Sequence, residues 1–462
     1  LGIMPNDLFC GRADIFPLGM NAQYINSEWG FAMNFDWFDE KISDTSISRK
    51  DRKRLAKLRE YWKDHTSTKK FLAEMDPSDK IYMITGGVSD GMVLDLANFP
   101  HAATALQRVA GIFLDYHKLL DHGLLGLMKL IDKKQAEHTE NDPYFYEGMR
   151  MALKTIMKTL EWYAQQAGKL SEIEVDINRK NDLTICRKLV TEKPETFREA
   201  IQLVIIYTMI DGAREWGRMD DYLALYYKND LENGIMNEEE AIRLLTSFWQ
   251  LMIAKEQVTD DRVIIGGLGR KHPKEADELA MVIMEVSRRV KDIVPQLTLR
   301  MYKGMNPKLY EKALDCIGEG CTYPMLYQDE NIIPGVMNVF GISEELAKSW
   351  MPLGCGEFTI DHSIIVSPNS VLNMANVLWG TINGGYGKYR MTPNTTSLTD
   401  YKTFDELWKA YCENVAYLTD VSARNHSRGY EIIAEDMSLN LHNILYDGCM
   451  DAGKGVISGG CL

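Results

Sequence analysis

Through most of this chain apolar residues recur at intervals of three and four, the period of an amphipathic helix. The pattern runs through LQRVAGIFLDYHKLLDHGLLGLMKLI (106–131), YEGMRMALKTIMKTLEWYAQQ (146–166) and KEADELAMVIMEVSRRV (274–290). TFREAIQLVIIYTMI (196–210) becomes apolar throughout its second half, which predicts a helix buried on most sides. EEEAIRLLTSFWQLMIA (238–254) places acids in its first turn behind Asn237, a good N-cap. SRKDRKRLAKLREYWKDH (48–65) reads instead as a solvated helix, its Lys/Arg cluster a charged face and not a ligand site.

Between the helical stretches lie short apolar runs with strand character: RVIIGGLG (262–269), QLTLRMY (296–302) and TYPMLYQDE (322–330). Such runs alternating with helices predict an α/β architecture with parallel strands, gathered in one domain spanning residues 1–462. The glycines of YMITGGVSDGM (82–92) have no following lysine and no G-x-G-x-x-G pattern, so they carry no phosphate role.

Composition narrows the classes. Hydrophobic residues make up 45% and charged residues 26%, which fits a globular chain with a substantial core. A net charge of −14 argues against nucleic-acid binding and against a polybasic membrane surface. No apolar run is long enough to span a membrane, and LGIMPNDLF does not make a signal peptide. Eight cysteines are spread thinly, with no C-x-x-C pair and no zinc spacing around Cys316 and Cys321. The expectation is reduced, buried thiols, no metal and a cytoplasmic location.

One cysteine stands apart. MPLGCGEF (351–358) sets Cys355 between Gly354 and Gly356, with the carboxylate of Glu357 two positions on. The glycines let the backbone turn sharply, and an i, i+2 spacing in extended chain puts Glu357 beside Cys355. A neighbouring carboxylate disfavours the thiolate, so the pattern suits no ordinary nucleophile. It suits a cysteine that stays S–H and reacts by losing a hydrogen atom.

The run TYPMLYQDENIIPGVMNVFGISEELAKSWMPLGCGEF (322–358) closely resembles the approach to the active-site cysteine of glycyl radical enzymes, the pyruvate formate-lyase superfamily. FREAIQL (197–203), GRMDDYLALYYKNDLENGIMNEEEA (217–241), PQLTLR (295–300), NMANVLWGTINGG (373–385), TFDELWKAY (403–411) and MSLNLHNILYDGCMDAGKGVISGG (437–460) follow the family in order. The resemblance implies a ten-stranded α/β barrel of two five-stranded halves, wrapped in helices, with the cysteine on an inner loop. It implies a glycyl radical installed by a separate S-adenosylmethionine iron–sulfur activating enzyme and passed to Cys355. A small-molecule substrate and a homodimer are implied too. The flanking Gly354 and Gly356 leave no second cysteine to carry an acyl group, so Cys355-x-Glu357 resembles the eliminating and decarboxylating branch, with Glu357 as acid or base.

By the same resemblance Arg214 and Trp216 line the substrate pocket, Arg214 holding a carboxylate or sulfonate unless it pairs with Asp211 or Glu215. Asp329 supports the cysteine loop, and His362, next to Asp361, reaches the site. Asp115 and Tyr116 are structural, and Ile112 stands where many eliminating members have a histidine. The family's R-V-x-G-Y-like radical loop is not among these residues, so the chain is expected to be incomplete at both ends and inactive without that segment. Two alternatives stay open: a formate C-acetyltransferase-like acyl transferase, and a catalytically silent truncated scaffold.

Overall fold

The strongest apolar periods become the helices of the larger of two units. The computed structural model describes residues 3, 7–11, 18–19, 32–33, 35–65, 67–77, 79, 83–85, 103–105, 112–173, 177–213, 215–254, 261–354, 356–365, 370–385, 396–436 and 439–460. One unit takes Leu1–Ile15, Gly111–Val366 and Leu439–Leu462; the other takes Phe16–Ala110 and Ser367–Ser438.

In the larger unit, helices α1 (Tyr116–Glu137), α2 (Pro143–Ile173), α3 (Ile177–Thr191) and α4 (Phe197–Asp211) come first. α1 begins at Tyr116, inside the apolar period, because the Asp115 side chain accepts from Lys118 N and caps it there. α4 is buried from Ala200 through Thr208, as its composition demands, and a Thr196–Glu199 capping box starts it. α5 (Glu238–Ile253) is capped by Asn237, whose side chain accepts from Glu240 N at 2.9 Å.

The apolar runs form a four-stranded parallel sheet: β1 (Gly217–Arg218), β2 (Val263–Gly266), β3 (Leu297–Met301) and β4 (Met325–Gln328), in that order. Helices α6 (Pro273–Val290) and α7 (Pro307–Gly318) cross between β2, β3 and β4. The register pairs Val263 with Leu297 and Leu299 with Leu326. All four residues of β2 are buried, as expected for a parallel strand covered on both faces. Asp329 then opens α8 (Asp329–Phe340).

Beyond α8 the chain makes a hairpin, β5 (Trp350–Leu353) against β6 (Glu357–Ile360). Met351 and Leu353 pack with Phe113 and with Ile264 of β2, which seats the hairpin on the parallel sheet.

The smaller unit holds a three-stranded sheet of Ser370–Leu372, Ala103–Ala105 and Met83–Thr85, with helices Met374–Asn383 and Phe404–Asp436. Arg49–Asp64 is the expected solvated helix, with no buried residue, capped by Ser48. Most of the segment 82–92 lies outside the described residues. Among the cysteines described, Cys10, Cys186, Cys316, Cys321 and Cys449 are buried as expected, but Cys412 is exposed on the helix Phe404–Asp436. The described residues are thus mostly helical, with a parallel sheet in the larger unit. The sheets among the described residues have two, two, three and four strands.

Candidate active site

The tip of the β5–β6 hairpin is the three-residue turn 354–356, closed by Gly356 N donating to Leu353 O at 2.9 Å. Gly354 has φ +50° and Gly356 has φ +119°, conformations that favour glycine. Space adds to the demand. A Cβ at Gly356 would sit 2.9 Å from Tyr327 Oη, and one at Gly354 would sit 2.8 Å from Glu357 Oε2. The turn is therefore pressed against the β4 tyrosine, and the Glu357 carboxylate folds back over Gly354. Cys355 itself lies outside the described residues.

Asp329 anchors the base of this hairpin. Its Oδ1 accepts from Trp350 Nε1 at 2.9 Å and from Arg300 Nε at 2.9 Å. Its Oδ2 accepts from Arg300 Nη2 at 3.0 Å and from Leu268 N at 2.7 Å. Arg300 then donates to Trp350 O at 2.8 Å and Lys348 O at 2.9 Å, and its guanidinium lies 4.6 Å from the Trp350 ring centroid. Burial lowers the Arg300 pKa to about 10, which still leaves it protonated at neutral pH. One buried ion pair thus ties β3, the start of α8 and the entry to β5 together.

Arg262, directly before β2, secures the tip: its Nη2 donates to the Gly354 carbonyl at 2.5 Å. Sequence reasoning missed both arginines. The available signal was an arginine inside or abutting an apolar strand run, RVIIGGLG and QLTLRMY, where burial demands a dedicated partner.

Trp216 is buried, donates its indole N–H to Asp261 Oδ1 at 3.0 Å and meets Phe248 of α5 edge-on. Arg214 lies outside the described residues. Of the acids named as its structural partners, Asp211 lies 2.7 Å from His442 Nδ1, and Glu215 accepts from Arg262 N at 2.9 Å.

His362 follows β6 and bonds through Nδ1 to Asp447 Oδ2 at 2.9 Å, while Asp447 N donates to His362 O. Asp115 completes a cluster with them, each offering a ligand atom within 4.8 Å of the others. Lys118 already brings a cation there, 3.3 Å from Asp447 and 3.9 Å from Asp115. Burial works against a charged His362, but Asp361, the Asp447 hydrogen bond and Asp115 outweigh it and raise its pKa to about 9. Burial, opposed by His362, raises Asp361 to about 6. Tyr116 Oη shares a buried hydrogen bond with Thr208 at 2.8 Å, and Ile112 is buried.

Chemically, the arrangement offers a hairpin fixed at its base by Asp329 and Arg300 and at Gly354 by Arg262, with the Glu357 carboxylate folded over Gly354. No described helix is long and apolar enough to cross a membrane.

Compared with known proteins, residues 1–462 match the family described as pyruvate formate lyase-like. The chain is 24% identical over 457 residues to (2S)-3-sulfopropanediol dehydratase of Klebsiella oxytoca, covering 92% of this chain and 54% of that relative. It is 24% identical over 389 residues to trans-4-hydroxy-L-proline dehydratase of Clostridioides difficile, covering 77% and 49%. The glycerol-bound form of the B12-independent glycerol dehydratase from Clostridium butyricum superposes with a TM-score of 0.76 at 21% identity, over 100% of this chain and 61% of that one. The chain spans about half the length of the curated relatives it matches. With a family match that runs from its first residue to its last, this chain belongs to the pyruvate formate lyase-like family.

Proposed function

We propose that this chain is the substrate-converting core of a glycyl-radical lyase that dehydrates, eliminates from, or decarboxylates a small polar molecule. The observation that carries the reading is the Gly354–Gly356 turn. Two conformationally demanding glycines flank Cys355 in the sequence, and the Glu357 carboxylate folds back over Gly354, in a chain of this family.

In this reading a glycyl radical, made by a separate S-adenosylmethionine iron–sulfur activating enzyme, supplies the unpaired electron. Cys355 gives its S–H hydrogen atom to that radical, and the resulting thiyl takes a hydrogen atom from a substrate C–H bond and becomes S–H again. The leaving group departs from the adjacent carbon as water, an amine or sulfite, or the substrate loses carbon dioxide, and the hydrogen atom returns to the product radical. Glu357 moves the proton that the leaving group needs. Enclosure keeps water and oxygen from the intermediates. We assign that enclosure to a ten-stranded barrel of two five-stranded halves, forming one pyruvate formate-lyase-like domain over the whole chain. The resemblance also supports a homodimer in the cytoplasm.

Arg214 is the residue we assign to an anionic group on the substrate. Asp329 acts on the site through Arg300 and Trp350, and His362 through the Asp447 contact at the exit of β6. Trp216 forms the wall of the pocket from behind β1, where Asp261 and Phe248 fix its ring.

The test of the acid–base assignment is Glu357→Gln in the full-length activated protein. Turnover should fall by about 10²- to 10⁴-fold; a near-wild-type rate removes Glu357 from that role. Mass spectrometry of the protein during turnover checks the acyl-transfer alternative. No acyl thioester should form on Cys355, and its detection would favour acyl transfer over elimination.

A further inference from the structure

Arg262 is fully buried, yet among the described residues the atoms that accept hydrogen bonds from its guanidinium are all neutral. Nη1 donates to Thr298 Oγ1 at 2.7 Å, and Nη2 donates to Gln296 Oε1 at 2.6 Å and to the Gly354 carbonyl at 2.5 Å. Met325 Sδ, a weak acceptor, lies 3.7 Å from Nη1, and the Nε–H has no hydrogen-bond partner among the described residues. The contrast with neighbouring buried arginines is direct. Arg300 pairs with Asp329, and Arg270 pairs with Asp220 and Asp277. A buried cation with no carboxylate bonded to its guanidinium carries a desolvation cost of several kcal/mol, and an apolar side chain of similar volume would serve packing better. Stability therefore does not account for Arg262.

Its contacts account for it better. Thr298 belongs to β3 and Gln296 directly precedes that strand, so two hydrogen bonds from one element fix the plane of the guanidinium. The remaining Nη2–H is then aimed at the peptide that joins Gly354 to residue 355. A charge-assisted hydrogen bond in a water-poor setting is among the stiffest tethers a protein side chain provides. Here it links the sheet to the turn across 92 residues of chain.

We infer that Arg262 is a positioning residue for Cys355, fixing the height of the hairpin tip above the sheet and so the distance from sulfur to the substrate C–H bond. The inference rests on the radical-lyase reading above. Transfer of a hydrogen atom requires near contact of the two heavy atoms, and a misplacement of about 1 Å costs on the order of 10²-fold in rate. Substrate binding does not run through this contact, so the loss belongs in kcat and not in KM.

The test uses full-length protein activated to a measured glycyl-radical content, with rates expressed per radical spin, and compares wild type, Cys355→Ala, Arg262→Gln, Arg262→Lys and Thr298→Val. Expressing rates per spin removes the contribution of unfolded or unactivated molecules. Arg262→Gln should lower kcat about 10²-fold with KM within about threefold. It should also enlarge the deuterium isotope effect on turnover, because hydrogen transfer becomes slower. Thr298→Val keeps the arginine but frees one edge of its guanidinium, and Arg262→Lys keeps the charge but not the fork; both should fall between wild type and Arg262→Gln. Wild-type kcat per spin in the Arg262 variants, or a loss confined to KM, would overturn the positioning role while leaving the lyase reading intact. Should Arg262→Gln yield no folded protein, an unchanged kcat and isotope effect in Thr298→Val and Arg262→Lys would overturn it equally. Turnover retained by Cys355→Ala would instead defeat the lyase reading itself.

Discussion

Arg300 and Arg262 hold the two ends of one hairpin by opposite electrostatic means. Arg300 is neutralised by a carboxylate that also receives the Trp350 indole and the Leu268 peptide. Replacing Asp329 by Asn keeps the shape but leaves the Arg300 cation uncompensated in the interior. The variant should lose about 3–5 kcal/mol in urea unfolding, and a loss below about 1 kcal/mol would show that the pair is not an anchor. His362 is a second residue whose charge matters. Its unfolded-state pKa of 6.5 rises to about 9 in the fold, so its stabilising contribution is complete below pH 6.5 and is lost as pH climbs through about 9. Relative to His362→Gln, wild type should be more stable at pH 6 and lose that margin by pH 10. Parallel stability curves for the two proteins would contradict the assignment. None of these partnerships was legible in the sequence beyond the residue types. Asp329 was singled out as support for the cysteine loop, but its partner lies 29 residues away, and the Arg262–Gly354 contact joins positions 92 apart. Periodicity and spacing report only on neighbours along the chain.

At the level of elements, the alternation of strand-like runs and helices was readable because each crossover is short and local. RVIIGGLG, QLTLRMY and TYPMLYQDE became β2, β3 and β4 with α6 and α7 between them. Boundaries were less legible. The Asp329 end of the third run turned into the first turn of α8, and within the helical period of 106–131 residues 112–115 lie outside the helix that begins at Tyr116. The two glycines around Cys355 were recognised as a turn signal, and the reason they are required is now specific. Gly356→Ala should destabilise the protein by at least about 1–2 kcal/mol from backbone strain, with a further penalty because the new methyl displaces the Tyr327 hydroxyl. Thermal unfolding of Gly356→Ala, alone and with Tyr327→Phe, separates the two. The double variant should recover part of the loss, and no recovery would mean that Tyr327 does not press on the turn.

On the scale of the whole molecule, the larger unit carries the parallel sheet, the hairpin and both arginine anchors, so the candidate site is built from Gly111–Val366 with support from Leu439–Leu462. The chain spans about half the length of its curated relatives. The central claim, that Cys355 is the residue that reacts, is tested most directly by activating full-length wild type and Cys355→Ala side by side. Glycyl-radical spin and product formation should be followed in the same samples. The account predicts the same doublet radical signal in both proteins and product only from wild type. Product from the Cys355→Ala protein at a comparable rate per spin would contradict it.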